Sequence, residues 1–444
     1  MALLTLATTC AVAQDWPQWR GANRDAKADG FKAPTTWPKE LTQKWKLEVG
    51  DGVATPALVG DKLYVFARQE GGEILRCLSA ADGKELWQNK YDALGASGAA
   101  SGFPGPRCSP TVTDGKVVTL GVRGMLSCLD AAKGTVLWRK DDFKGVTPRF
   151  QTSASPMVAG GLCVAQLGSE SGGIVAYELG TGDEKWRWMG DGPAYASPVL
   201  LTLGGEKYVV AVTDKKVVAL TLADGKLAWE TPFIVQGRGN NSATPIVDGQ
   251  RIIYAGSGRG ATAVKMQKEG DAFVAQELWK NLDNSVQYNS PVLKGELVFG
   301  ISAKNDFFCL DAKDGKTVWV APFAKEQAAA TVGNPPSTPS TNADSSVAPG
   351  GQPGGPPTGG PGGGRGGRGG GGGGGGYGSI VDAGSVLLAL TPASQLVVFE
   401  PSGKEFKELA RIKVADTPTY AYPVVSGNRI FVKDQNSVTL WTVE

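Results

Sequence analysis

A repeat of roughly 46 residues organises most of this 444-residue chain. Each of six units opens with a Ser-Pro or Thr-Pro pair and closes with a tryptophan, which in five units follows a glycine by four residues. The opening prolines are Pro56, Pro110, Pro156, Pro198, Pro245 and Pro291, and the closing tryptophans are Trp87, Trp138, Trp186, Trp229, Trp279 and Trp319. Such a period indicates one small structural unit stacked many times rather than several unrelated domains.

Each unit holds four short runs of β-forming residues, which in the first unit lie at 56–59, 62–66, 74–78 and 85–87. Four strands in about 46 residues are typical of a β-propeller blade. Many runs are apolar on both faces, as at 217–220, and blades that stack on two neighbours require this pattern. The sequence therefore predicts an all-β propeller.

The two ends of the chain set the number of blades. After Trp319 two further units are visible, at 379–406 and 422–441, and the last one lacks a fourth strand. The segment 43–48, with Trp45, has no unit of its own and can supply that strand. We therefore predict eight four-stranded antiparallel blades over 43–444, closed by the N-terminal strand so that no sheet edge stays open.

Three segments depart from the repeat. Residues 1–13 form an apolar run ending in Ala-Val-Ala, which predicts a signal peptide; a lipid anchor at Cys10 and a frayed tail are the alternatives. Residues 14–42 carry Trp16 and Trp19, so we expect this extension to pack on the surface of the propeller, with partner binding as the alternative. Residues 325–378 are rich in Gly and Pro and predict a disordered insert.

Composition narrows the functional classes. The chain has no histidine, which excludes Ser-His-Asp catalysis and histidine-ligated metals. Lys and Arg number 45 against 43 for Asp and Glu, so no basic excess indicates nucleic-acid binding. No later segment reaches the ~20 apolar residues of a membrane helix. We expect an exported monomer, in the periplasm, outside the cell or at the outer membrane, without a transmembrane segment.

Alignment of the units on their prolines predicts which side chains surround one mouth of the central channel. Three residues before the prolines come Val53, Arg107, Ser153, Tyr195, Ser242, Tyr288 and Tyr420. Tyr and Arg are enriched at binding hot spots, so this mouth is a candidate site for a protein partner or a small anionic or peptide ligand. Solvated loops that merely cap the channel are the alternative. The candidate binding residues are Arg107, Arg149, Tyr195, Arg238, Asn240, Asn241, Gln287, Tyr288, Asn289 and Tyr420.

The segment 128–138, and its counterparts at 219–229 and 309–319, resemble the repeat of the PQQ-like (quinoprotein alcohol dehydrogenase-like) β-propeller family. Its pattern is Ala-x-Asp-x-x-x-Gly-x-x-x-Trp, and the resemblance implies that each tryptophan docks on the neighbouring blade. That family includes catalytic dehydrogenases and the non-catalytic propeller lipoprotein of the outer-membrane β-barrel assembly machinery. The implied docking residues are Trp45, Trp87, Trp138, Trp186, Trp229, Trp279 and Trp319.

The resemblance leaves catalysis open. Catalytic members hold Ca²⁺ with a Glu and an Asn, use an Asp as base and clamp the quinone with adjacent cysteines. This chain has no Cys-Cys pair, and its isolated candidates are Glu170, Asn240, Asn241, Asn305 and Asp306. We therefore expect a non-catalytic binding or assembly scaffold with no cofactor and no metal. A PQQ- and calcium-dependent dehydrogenase is the alternative, and a carbohydrate binder is a third.

Overall fold

The computed structural model describes residues 14–235, 239–269, 272–323 and 376–443. The predicted signal peptide at 1–13, Arg238 and nearly all of the predicted insert at 325–378 lie outside these ranges. The described residues contain 32 β-strands and one short 3-10 helix, Gly98–Ala100. The helix interrupts the long loop between the first two blades.

The described strands form eight four-stranded sheets, and all the pairings within them are antiparallel. In the first seven sheets the order of strands follows the chain. Blades 1 to 4 consist of β2–β5 (Ala57–Val59, Lys62–Gln69, Gly72–Ser79, Glu85–Asp92), β6–β9 (Thr111–Thr113, Lys116–Leu120, Leu126–Asp130, Val136–Lys140), β10–β13 (Met157–Ala159, Leu162–Leu167, Gly173–Glu178, Glu184–Trp188) and β14–β17 (Val199–Leu203, Glu206–Val212, Lys216–Thr221, Leu227–Pro232). Blades 5 to 7 consist of β18–β21 (Ile246–Asp248, Arg251–Gly256, Gly260–Glu269, Ala272–Asn281), β22–β25 (Val292–Lys294, Leu297–Ile301, Asp306–Asp311, Thr317–Pro322) and β26–β29 (Ser379–Asp382, Leu387–Leu390, Gln395–Phe399, Glu408–Lys413).

Blade 8 joins the two ends of the described chain. It contains β30 (Val424–Ser426), β31 (Arg429–Lys433) and β32 (Ser437–Thr442), and its fourth strand is β1 (Thr42–Glu48). In the pairing of β1 with β32, Lys46 lies opposite Thr439 and Leu47 opposite Val438. The predicted all-β architecture, with eight blades and closure by the N-terminal strand, is therefore confirmed.

Tryptophans and turn glycines join neighbouring blades. The indole Nε1 of Trp138 in blade 2 donates to the carbonyl of Leu179 in blade 3 at 3.0 Å. The turn glycine of blade 3, Gly182, lies against the same indole, so closely that an added Cβ would come within 3.0 Å of the ring. The indole bond to the following blade recurs at Trp45, Trp87, Trp138, Trp186, Trp279 and Trp319.

Trp229 departs from this pattern. It packs on the apolar cluster shared by blades 4 and 5, but its indole makes no such bond to the part of blade 5 that the structure describes. Blade 5 has ten-residue strands β20 and β21 and no glycine four residues before its own tryptophan. Blade 5 therefore lacks, at this repeat position, a glycine like the one that packs against the indole of Trp138.

In five of the six units, the Ser or Thr before the opening proline links its blade to the preceding one, and only Ser109 departs from this among the described residues. In those five, the hydroxyl accepts a hydrogen bond from the backbone N–H at the equivalent position of the preceding blade, as Ser155 does from Ser109 at 2.9 Å. We call these residues the hydroxyl ring. Its accepting members are Thr55, Ser155, Ser197, Thr244 and Ser290.

The N-terminal extension lies inside the central channel. Trp16 pairs with Leu58 of β2 through two backbone hydrogen bonds of 2.8 and 2.9 Å. The same segment bonds to Val112 in blade 2 and to Asp382 in blade 7. Its side chains reach further blades, since Trp19 donates to Thr244 at 3.0 Å. We call residues 16–28 the plug.

The position of the plug corrects the expectation that this extension covers the surface of the propeller. The first strand of each blade has one edge that is unpaired within its own sheet, and free backbone groups there can pair with another strand. Trp16 is fully buried, as is Arg20. The plug therefore buries the Trp16 ring inside the channel. It also gives hydrogen-bond partners to backbone groups of the first strands, which face the channel axis.

A buried carboxyl group links blades 1 and 2. Glu73, in β4, is 1% exposed. Its Oε1 accepts a hydrogen bond from the backbone N–H of Val122 at 2.8 Å, and its Oε2 accepts one from the hydroxyl of Tyr91. Burial raises the pKa of Glu73 above its ordinary value of 4.5, although both hydrogen bonds act in the opposite direction.

This carboxyl group makes the stability of the propeller depend on pH. Between pH 4.5 and the raised pKa, the folded state binds more protons at Glu73 than the unfolded state does. The free energy of unfolding should therefore fall as pH rises through this window. We expect Glu73→Gln to make this fall smaller in urea titrations between pH 4.5 and 8. The matched control is Glu85→Gln, an exposed position in the same blade, and equal slopes for both variants would contradict the assignment.

Candidate functional site

The loops before the first strands open onto a cavity of about 270 Å³ at one mouth of the channel. Trp19 of the plug lies at its inner end, bonded to Thr244 of the hydroxyl ring. The Trp19 ring contacts the Tyr422 ring edge to face, with 4.9 Å between their centroids. The plug thus closes the cavity towards the channel.

Six of the ten candidate binding residues line this cavity. All six lie in loops that join one blade to the next, and five such loops contribute. Val53, Ser153 and Ser242, at the same position of the repeat, also line it. The six residues are Arg107, Tyr195, Asn240, Tyr288, Asn289 and Tyr420.

The remaining four candidates lie elsewhere. Arg149 is exposed, and its guanidinium stacks over Phe150 at 5.3 Å from the ring centroid. Asn241 is buried, and its Nδ2 donates to the backbone carbonyls of Thr213, Asp214 and Phe233. Gln287 packs near Gly376 outside the cavity lining, and Arg238 lies outside the described residues.

Several aromatic residues of the cavity were not identified from sequence. Tyr377 stacks on Tyr288 with 4.3 Å between centroids and an interplanar angle of 19°, and it also contacts Tyr420 at 5.2 Å. Phe103 meets Tyr420 edge to face at 5.0 Å. Tyr377 is the sole aromatic residue of the segment 325–378, a signal that could have marked it. Trp19, Phe103, Phe150 and Tyr422 complete the set.

Arg107 supplies the positive charge of the cavity. Its Nη1 donates to the carbonyl of Phe150, and its Nη2 donates to those of Ala100 and Phe103 at 3.3 and 2.9 Å. Burial lowers the pKa of Arg107 below its ordinary value of 12.5, and a guanidinium stays protonated in proteins. Because a guanidinium has five N–H groups, the bonds to described residues leave two donors for a ligand.

The charge of Arg107 is not balanced within the cavity. None of the described residues that line it carries a carboxylate. Burial, as the first cause, raises the pKa of Tyr377 to about 12, so its phenol is neutral near pH 7. The cavity therefore combines one cation with neutral aromatic rings and amides, an arrangement that favours an anionic group carried on an aromatic or extended chain.

The residues of the mouth do not fit the calcium-bound quinone of the catalytic relatives. Calcium takes six to eight oxygen ligands, commonly with carboxylates among them, and the described lining supplies a guanidinium instead. Glu170 is exposed in a loop of blade 3. Asp306 borders a separate cavity of about 350 Å³, and Asn305 accepts a hydrogen bond from Gly376. The fold therefore does not bring the residues that the sequence suggested for a dehydrogenase into one site.

The described cysteines do not give the mouth a reactive thiol. Cys77, Cys108, Cys128, Cys163 and Cys309 are free and buried in the described chain. Burial raises the pKa of Cys108, the cysteine closest in sequence to Arg107, well above that of an ordinary thiol. Over the described ranges, no group of three or more Cys, Asp or Glu side chains could hold a metal ion.

Comparisons with known proteins agree with this architecture. BamB of Xanthomonas campestris is 26% identical over 261 residues, which cover 56% of this chain and 62% of that protein. Quinohemoprotein alcohol dehydrogenase of Comamonas testosteroni is 29% identical over 189 residues, which cover 39% of this chain and 25% of that enzyme. The matches thus span less than two thirds of either relative.

Solved structures share the fold at low identity. BamB from Moraxella catarrhalis superposes with a TM-score of 0.61 at 14% identity, over 91% of this chain and 98% of that one. The Comamonas testosteroni dehydrogenase gives 0.65 at 14% identity, over 96% and 80%. Among the described residues, no helix has the length and apolarity to cross a membrane.

The family model described as outer membrane protein assembly factor BamB matches residues 70–321, more than half of the chain. This match runs from the turn after β3 in blade 1 to β25 in blade 6. It contains Arg107 and the closing tryptophans from Trp87 to Trp319. The chain belongs to this family of PQQ-like propellers.

Proposed function

We propose that this chain is a non-catalytic scaffold in outer-membrane protein assembly, and that its channel mouth binds a carboxylate-bearing peptide segment of a partner protein. The observation that carries the proposal is Arg107, a cation in a cavity of aromatic side chains with no carboxylate partner among the residues that the structure describes. The assignment to outer-membrane protein assembly comes from the similarity to BamB, which is an outer membrane protein assembly factor. Export, as residues 1–13 predict, would place the chain where that process occurs.

The size of the cavity favours a short segment. A volume of about 270 Å³ lies just below the range of ~300–1,000 Å³ that is typical of small-ligand sites. It accommodates one or two side chains of an extended peptide. The stacked rings of Tyr288 and Tyr377 offer an apolar face, and Arg107 offers a charged hydrogen bond next to it.

A pair of capped tetrapeptides tests this proposal. One has a central tyrosine–aspartate pair and the other a tyrosine–asparagine pair, so that they differ only in the carboxylate. We expect calorimetry to show that wild-type protein binds the acidic peptide about 10- to 100-fold more tightly, as for loss of one charged hydrogen bond. Arg107→Gln should abolish this preference, and Arg107→Lys should restore part of it.

The control variant is Arg187→Gln. Arg187 lies on the outer strand β13, away from the mouth, and forms an ion pair with Glu184. It changes the net charge by the same amount and should leave the preference intact. Equal binding of the two peptides by wild-type protein would contradict the proposal. A preference that Arg107→Gln retains would also contradict it.

A quinoprotein dehydrogenase is the second candidate, since such enzymes are among the relatives. Titration of the protein with PQQ and Ca²⁺, followed by a dye-linked alcohol oxidation assay, separates it from the scaffold. We expect neither calcium-dependent binding nor turnover, because the described lining of the mouth offers calcium no carboxylate. Tight binding with turnover would favour the enzyme.

A further inference from the structure

Two arginines of the plug are buried in the channel. Arg20 is 0% exposed and Arg24 is 4% exposed. The Nη2 of Arg20 donates to the carbonyl of Pro291 in blade 6 at 2.6 Å. The guanidinium of Arg24 reaches the carbonyls of Ser155 and Pro156 in blade 3, at 3.0 Å each. These acceptors are neutral, so they satisfy N–H groups without balancing the charges.

The carboxylates near the plug are committed to other cations. Asp25, next to Arg24 in the chain, lies 3.6 Å from the ammonium group of Lys27. Asp382, which pairs with the plug through its backbone, lies 2.7 Å from that of Lys294. Within the described part of the chain neither arginine forms an ion pair with a carboxylate. An isolated buried charge is costly unless it is paired.

Donor groups on the same segment also lack acceptors. The unpartnered buried atoms of the plug are all N–H donors, and no described residue accepts from them: Arg20 Nε and Nη1, Arg24 Nε and Trp16 Nε1. In addition, the charge on Arg20 acts on Arg24. Burial first, and this repulsion second, lower the pKa of Arg24 to about 9.

We infer that the plugged channel holds a small inorganic anion, of the size of chloride, bound by Arg20 and Arg24. Such an ion accepts several N–H bonds at once and balances one of the two positive charges. A water molecule also accepts hydrogen bonds, but it carries no charge. The near-complete burial of both side chains favours a monatomic ion over phosphate, which needs more room and more donors.

Bromide provides a direct probe, because it replaces chloride and scatters anomalously. Crystals of the full chain soaked in sodium bromide should show an anomalous peak within hydrogen-bond distance of the Arg20 or Arg24 guanidinium. Bromide only on the outer surface of the propeller would overturn the inference. A site between the arginines that stays unchanged and lacks anomalous signal is an ordered water, and this too would overturn it.

Thermal unfolding provides the solution test. Sodium chloride is varied from 5 to 300 mM at constant ionic strength, with sodium gluconate as the balancing salt, because gluconate is too large for a buried site. A specific ion should raise the midpoint by roughly 3 °C over this range. The same midpoint in chloride and gluconate would contradict the inference.

Variants assign the effect to the plug. Arg24→Gln keeps hydrogen-bond donors for Ser155 and Pro156 but removes the charge, so the chloride dependence should shrink even if stability in gluconate changes. Arg187→Gln, at the exposed pair on β13, should keep the full dependence. If Arg24→Gln does not fold, the bromide experiment on wild-type protein still decides. Retained chloride dependence in folded Arg24→Gln would overturn the assignment to the channel.

Discussion

Gly134→Ala should destabilise the propeller far more than Gly115→Ala, although both glycines lie in turns of blade 2 and have nearly equal backbone angles. Gly134 has φ +71° and Gly115 has φ +69°, so both variants carry the cost of a left-handed alanine, about 1–2 kcal/mol. An added Cβ at Gly134 would come within 3.0 Å of the Trp87 ring, whereas nothing lies within 4 Å at Gly115.

The additional cost at Gly134 comes from the contact between blades. Displacement of Trp87 disturbs its bond to Ala131 and overpacks a tight interface, which typically costs a further ~1–3 kcal/mol. Urea unfolding of the two variants measures the difference. Equal destabilisation would show that the turn glycine is required only for its backbone angle and not for the tryptophan of the neighbouring blade.

Trp16→Ala should lower stability by about 3–5 kcal/mol, as expected for the truncation of a fully buried tryptophan. Trp16 is 0% exposed and belongs to the largest apolar cluster, together with Leu58, Val49 and residues of blades 6 to 8. The substitution removes the ring that holds the start of the plug. The rest of the plug, including Trp19 at the base of the mouth, should then become more mobile.

Trp37→Ala is the matched control, because Trp37 belongs to the same N-terminal extension but is only partly buried. We expect it to cost clearly less in the same unfolding measurement. Hydrogen exchange should show faster exchange of the Leu58 amide, which donates to the carbonyl of residue 16, in Trp16→Ala protein only. A cost for Trp16→Ala no larger than that of Trp37→Ala would mean that the plug contributes little to the fold.

The blades could be predicted from the sequence because each repeats the same local signals. Six units supply an opening proline and a closing tryptophan, and five of these also have a turn glycine four residues before the tryptophan. An unclear assignment in one unit can therefore be checked against the others. Alignment of the units also identified seven of the side chains that line the mouth, Arg107 and Tyr288 among them, because equivalent positions of a propeller converge on one axis. Phe406, where the sequence suggested the end of a unit, instead precedes strand β29 and stacks on Phe307.

Features outside the repeat could not be placed in the same way. The plug occurs once, so no internal comparison showed that Trp16 and Arg20 enter the channel. The hydroxyl of Ser155 bonds across a blade boundary, which residue spacing does not reveal. Tyr377 reaches the mouth from the end of an aperiodic segment. In each case the determining contact joins residues that are far apart in the sequence, and the position is fixed by packing rather than by local pattern.

The location of the bound peptide tests the central claim most directly. The acidic tetrapeptide can carry a benzoylphenylalanine in place of its tyrosine, and irradiation then couples it to neighbouring C–H bonds. We predict that mass spectrometry of the digested product will place the cross-links on segments that line the mouth, around Tyr288, Tyr377 and Tyr420, and that excess acidic peptide will suppress them. Suppressible cross-links confined to the outer strands, away from Arg107, would contradict the assignment of the channel mouth as the binding site.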